Sequence, residues 1–109
     1  MKLKLLARKY FRYFSKKKIS HLEKMFAKTI ILRDWNIDVK GKDNVIKANK
    51  KIFSSCKTIK VTPTKLHVVK NVVLAEIDIV IDKKKFLILD ILEFNKKNEI
   101  ISIKAFLGN

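Results

Sequence analysis

The sequence predicts an α+β domain, with three helices gathered on one face of a curved antiparallel sheet. Two observations carry that prediction: apolar side chains recur every three or four residues in two stretches before Thr58, and alternate with polar ones after it. A third is the scarcity of residues that break regular structure. Two Gly and one Pro in 109 residues leave little length for linkers or low-complexity tails, so one domain is expected to span 1–109.

Leu3, Leu6, Tyr10 and the pair Tyr13/Phe14 mark one stripe of a first helix over residues 2 to 15, which ends in a lysine-rich turn. Ser20-His21-Leu22-Glu23 has the spacing of a capping box, so a second, short helix is expected to begin there and turn Leu22, Met25 and Phe26 inward. The β-rich run Thr29 to Trp35 reads as a strand, and Asn36 to Gly41 as a polar loop. Val45, Ala48, Ile52 and Cys56 trace one face of a third helix over about residues 42 to 55. Thr58 to Lys70 is a long strand bent or bulged at Pro63, because proline cannot donate to a central ladder. After a turn at Lys70-Asn71, Val73, Ala75, Ile77, Ile79 and Ile81 alternate against Glu76, Asp78 and Asp82, the pattern of a strand with one wet face. Strands over residues 85 to 94 and 99 to 107 complete a four-strand antiparallel meander.

Composition narrows the function classes. A single Cys56 and two distant histidines, His21 and His67, give no disulfide pair and no clustered metal ligands, so no metal is expected and a reducing compartment is. Arg8 and Lys9 interrupt the first apolar stretch too early for a signal-peptide core, and no run approaches the roughly 20 apolar residues of a membrane span. The expected location is the cytoplasm. A net charge of +16 raises nucleic acid as a partner, but only Arg8, Arg12 and Arg33 of the 26 basic residues are arginine. The lysines are dispersed and their short runs fall at turns, which argues for a solvated surface against a nucleic-acid site.

Two aspartates break the apolar pattern of the strands. Asp34 follows Ile30 and Leu32 on one face, and Asp90 stands between Phe86, Ile88, Leu92 and Phe94. A carboxyl among apolar side chains holds its proton and is a candidate acid or base. Asp34, next to a loop, is equally suited to capping loop amides, and a buried bond to a tyrosine would give Asp90 a structural role. Leu87, Leu89 and Ile91 make the other side of Asp90's strand apolar too. A second copy of the chain packed through a two-fold interface would cover it, as would a neighbouring element.

The chain resembles the nuclear transport factor 2-like superfamily, in its ketosteroid isomerase and SnoaL-like polyketide cyclase branch. The residues that carry the likeness are Ala7-Arg8-Lys9-Tyr10-Phe11, Met25-Phe26-Ala27, Arg33-Asp34-Trp35 and Gly41-Lys42-Asp43-Asn44-Val45-Ile46, followed by Leu89-Asp90-Ile91-Leu92-Glu93-Phe94-Asn95 and the run from Ile101 to Gly108. The resemblance implies a cone, a curved antiparallel sheet packed on three N-terminal helices. It also implies an apolar pocket, lined, by strand parity and family position, by Ile77, Ile88, Leu92, Ile103 and Phe106, with Trp35 beside the base. Asp34 would be the general base that moves a proton next to a carbonyl, and Tyr10 with protonated Asp90 would donate hydrogen bonds to the enolate oxygen, a division of labour known for ketosteroid isomerase. No cofactor is implied, and the expected ligand is a small apolar carbonyl compound bound by a homodimer. Taken alone, Tyr10 on an inward stripe also fits a plain core tyrosine. Residues 42 to 56 lack the supporting tyrosine of the steroid isomerases, and Asn49 is the nearest polar side chain on that helix. Trp35 narrows the mouth, lids a flat substrate or packs at the sheet edge. His67 is an alternative acid or base, or a structural histidine among Leu66, Val68 and Val69. A non-catalytic module that holds a small molecule or partner in the same cavity is the rival reading.

Overall fold

A computed structural model describes residues 2–108; the outermost residues of the expected 1–109 domain lie outside the described residues. The helices are α1 (Lys2–Ser15), α2 (Ile19–Met25) and α3 (Lys42–Ser54), and the strands are β1 (Phe26–Arg33), β2 (Asp38–Lys40), β3 (Ile59–Val69), β4 (Val72–Ile81), β5 (Lys84–Phe94) and β6 (Ile100–Leu107). The strands form one curved, unclosed sheet in the order β2-β1-β6-β5-β4-β3. The fold is α+β, with the three helices packed on that sheet.

The sheet is mixed where an antiparallel one was expected, because β1 runs parallel to β6. The reason is one of parity. Hairpins reverse the chain at each step from β3 to β6, and the last strand returns to lie beside the first in the same direction. The expected polar loop after β1 also contains a strand. β2 pairs antiparallel with β1 through Ile31 with Lys40 and Arg33 with Asp38.

The first two helices meet through a Schellman closure rather than a capping box. The Lys18 amide donates to the Tyr13 carbonyl at 2.9 Å and the Lys17 amide to that of Phe14 at 3.1 Å, with Lys17 in the left-handed region at φ 54°. That closure uses the chain up to Lys18, so α2 starts at Ile19 and Lys18 is its cap without a side-chain bond. Ser20 instead lies 3.5 Å from His21 Nδ1. Lys17 then reaches the far end of α3, where its ammonium donates to the carbonyls of Phe53 (2.8 Å), Cys56 (2.6 Å) and Lys57 (3.2 Å). A cation at a helix C-terminus opposes the negative end of the helix dipole.

The sheet bends where the ladder slips. Register shifts between Pro63 and Lys65 in β3, and between Phe26 and Ile31 in β1. The Asp82-Lys83 turn between β4 and β5 has both residues at positive φ, 46° and 79°, with no glycine to ease it. Asp82 Oδ1 compensates by accepting the Lys57 and Thr58 amides at 2.9 and 2.8 Å, which ties the hairpin to the end of α3. Phe11, Leu22, Phe26, Ile30, Val45, Leu92, Phe94 and Ile100 form the fully buried centre between helices and sheet.

Candidate functional site

Where the sheet curves away from α1 and α3, an apolar cavity of about 350 Å³ opens. Tyr10, Phe11 and Phe14 of α1 form one wall, Asn49, Ile52 and Ser55 another, and Ile77, Ile79, Phe86, Ile88, Asp90, Ile103 and Ala105 line the sheet side. The turn Asp34-Trp35-Asn36-Ile37 stands at its edge. Ser15 fixes α1 over the sheet: its hydroxyl donates to the Phe11 carbonyl at 2.9 Å and accepts the Val61 amide at 2.8 Å.

Asp90 sits in the middle of β5 and is 7% exposed. Its cross-strand neighbours are Ala75 and Ala105, small residues that leave room above the carboxyl. No hydrogen bond reaches its carboxyl among the described residues, so the structural tyrosine bond is absent. Burial, then the charge of Asp34, raise its pKa from 3.8 to about 7. Tyr10, 4% exposed, has its hydroxyl raised well above the ordinary tyrosine value by burial and then by Asp90. Its ring packs edge-on to Phe11 and tilted against Phe14 and Phe26.

Asp34 follows directly on β1 and is partly buried. Its Oδ1 accepts the amides of Asn36 and Ile37, both at 2.7 Å, while its own amide donates to the Ile37 carbonyl at 2.8 Å. One carboxylate oxygen thus closes the turn into β2, and Oδ2 makes no hydrogen bond among the described residues. The cavity therefore brings together a turn-capping aspartate, a buried tyrosine and a buried aspartate whose pKa is raised.

Of the expected wall residues, Trp35, Ile77, Ile88 and Ile103 line the cavity. Leu92 and Phe106 do not. Leu92 lies one layer deeper on Asp90's face, between Val73 and Ile103, and is fully buried in the core. Phe106 has the parity of the other face, opposite Leu89, and is 54% exposed there. Trp35 is 48% exposed at the mouth. His67 lies outside the cavity, its ring nitrogen 3.5 Å from Glu76 Oε2. Ser55, Phe86 and Ala105 are wall residues the sequence did not single out; the strand parity of Phe86 and Ala105 was the available signal. Among the described residues no group of three or more His, Cys, Asp and Glu is placed to hold a metal, and no helix is long and apolar enough to cross a membrane.

No protein-family model matches the chain, and no curated protein matches it. Solved structures do. An NTF2-like protein of unknown function from Cytophaga hutchinsonii is 15% identical over 97% of this chain and 89% of its own, with a TM-score of 0.83. A candidate ketosteroid isomerase from Kribbella flavida is 13% identical over 98% of this chain and 78% of its own, also at 0.83. A candidate isomerase of the SnoaL-like family from Agrobacterium tumefaciens is 11% identical over the whole of both chains, at 0.85. The chain has the nuclear transport factor 2-like fold. At such identities the likeness is one of fold, and function has to be argued from the site.

Proposed function

We propose that the cavity binds a small apolar carbonyl compound and catalyses proton transfer next to the carbonyl, an allylic isomerisation or an aldol-like cyclisation, without a cofactor. The observation that carries this reading is Asp90: a buried acid with no hydrogen-bond partner among the described residues, facing an apolar cavity beside Tyr10. In the isomerisation, Asp34 Oδ2 takes the proton from the carbon next to the carbonyl and the electron pair moves onto the carbonyl oxygen. Tyr10 and protonated Asp90 donate hydrogen bonds to that oxygen in a site where few other dipoles compete. Asp34 returns its proton to the far carbon of the conjugated system, and the carbonyl reforms. The fold's likeness to candidate isomerases supports this class of reaction.

Asp34's bonds to the turn favour a second reading, in which the same cavity holds its ligand without catalysis and Asp34 is a cap. Asp34→Asn separates the two, because asparagine keeps an Oδ1 acceptor for the turn and loses the base. The experiment is a titration with 2-naphthol, followed by absorbance for its phenolate, on the wild type, Tyr10→Phe and Asp90→Leu. A phenolate stands for the enolate oxygen. The expected result is binding that weakens about tenfold or more in each variant, a charge-assisted hydrogen bond being lost. Binding indifferent to both substitutions would remove the oxyanion role. Enone turnover that survives Asp34→Asn would remove the base and leave the binding module.

We also infer that the functional form is a homodimer through the outward face of the sheet. Leu89 and Phe106 stand opposite one another there and are exposed. The same face carries Glu76, Asp78 and Glu93, three of the chain's ten acidic residues. In a chain of net charge +16, this is a surface on which a second copy meets comparatively little repulsion.

A further inference from the structure

Proton transfer by Asp34, Tyr10 and Asp90 leaves one buried polar side chain of the cavity unused. Asn49, on α3, is 3% exposed and lines the cavity, and its Nδ2 is the one sealed side-chain nitrogen or oxygen without a hydrogen-bond partner among the described residues. Its neighbours on the helix, Val45, Ile46 and Phe53, are buried apolar residues that offer it nothing. An unmet buried amide is a standing cost to the fold, and a leucine would fill the same place without it. Turning the carboxamide would bring its nitrogen to the cavity side, and the cost is then offset when something entering the cavity meets it.

We propose that Asn49 is a specificity-determining contact, reading a second oxygen on the ligand whose first oxygen lies at Tyr10 and Asp90; this rests on the cavity being the ligand site argued above. A hydroxyl suits the position best. It both donates and accepts, so it satisfies the carboxamide whichever way the amide is turned. At about 350 Å³ the cavity is near the lower end of small-molecule sites. The ligand class is accordingly a compact apolar carbonyl or phenol with one further hydroxyl.

The test is calorimetric titration of the wild type, Asn49→Leu and Asn49→Ala with 2-naphthol and with dihydroxynaphthalenes whose second hydroxyl moves around the ring system. The expected result is that at least one isomer binds the wild type about three- to tenfold more tightly than 2-naphthol. That advantage, taken as the ratio of the two affinities within each protein, disappears in both variants. Asn49→Leu also melts no lower than the wild type, since no protein hydrogen bond is lost. The same isomer preference in the variants, or no isomer gaining over 2-naphthol, would overturn the contact. So would a drop of several degrees in the melting temperature of Asn49→Leu, which would mean that the amide has a structural partner. The oxyanion reading fails separately: 2-naphthol would then ignore Tyr10→Phe and Asp90→Leu while the Asn49-dependent preference persisted.

Discussion

Asp90 is an acid whose surroundings oppose its charge, and this has a consequence for the folded chain as well as for the site. Its proton is held to about 7 in the fold, against 3.8 ordinarily. Between those values the folded state binds a proton that the unfolded chain has released. This contribution to stability is therefore full below about pH 4, is lost as pH rises toward 7, and levels off above. The whole loss is at most about 4 kcal/mol. Urea unfolding at pH 4.5 and pH 8, compared with Asp90→Leu, isolates it: the wild type should lose stability relative to the variant as pH rises. Equal slopes would mean that Asp90 ionises freely. Asp34→Asn removes the charge that helps hold the proton, so Asp90 should titrate lower in that variant, as read by the carboxyl carbon shift in NMR. The face of Asp90 was legible from strand parity, because a strand alternates faces whatever its neighbours do, whereas Asp34 stands one residue past the end of β1 in the turn that it closes. Leu92 was misplaced because parity gives the face and not the depth, and Phe106 because it was assigned a face against its parity. The missing partner of Asn49 depends on what packs around α3, which no period along the chain records.

Among the elements, α3 depends on a contact the sequence hid. Lys17 sits in a lysine-rich turn that reads as solvated surface, yet its ammonium closes three carbonyls around the end of α3, 36 to 40 residues away. That contact holds the helix whose Asn49 and Ile52 wall the cavity. Lys17→Met keeps the length and removes the donors, and should cost about 1–3 kcal/mol of stability by chemical denaturation, a charged hydrogen-bonded group being lost. Lys16→Met, whose side chain is exposed, is the control and should be near neutral. Equal effects would show that Lys17 is no anchor. The helices at residues 2 to 15 and 42 to 54 were legible because their apolar stripes are long and regular. The start of α2 was not, since the closure of α1 overrode a local capping pattern. Strand β2, three residues long, is formed by pairing with β1 and carries no period of its own.

At the scale of the whole molecule, the two faces of the sheet differ in what covers them. The concave face is covered by the helices. On the outward face Phe106 is 54% and Leu89 36% exposed, side by side on adjacent strands. Around them the charges partly offset one another, with Asp38, Glu76, Asp78 and Glu93 against Arg33, Lys40, Lys60, Lys65, Lys85 and Lys104, and Asp78 pairs with Lys85 at 3.5 Å. Two copies meeting there, as proposed, would bury the apolar centre and keep most of their excess positive charge on the surfaces turned away, where water and salt screen it. Sedimentation should therefore give the mass of two chains at micromolar concentration. Because the remaining repulsion is long-ranged, added salt should tighten the association. Phe106→Glu places a charge at the centre of the contact, facing its own copy across the two-fold axis, and should give the mass of one chain. Its side chain lies on the face away from the cavity, so 2-naphthol binding per chain should persist. A wild type that sediments as one chain at all concentrations and salts would leave the outward face without this partner.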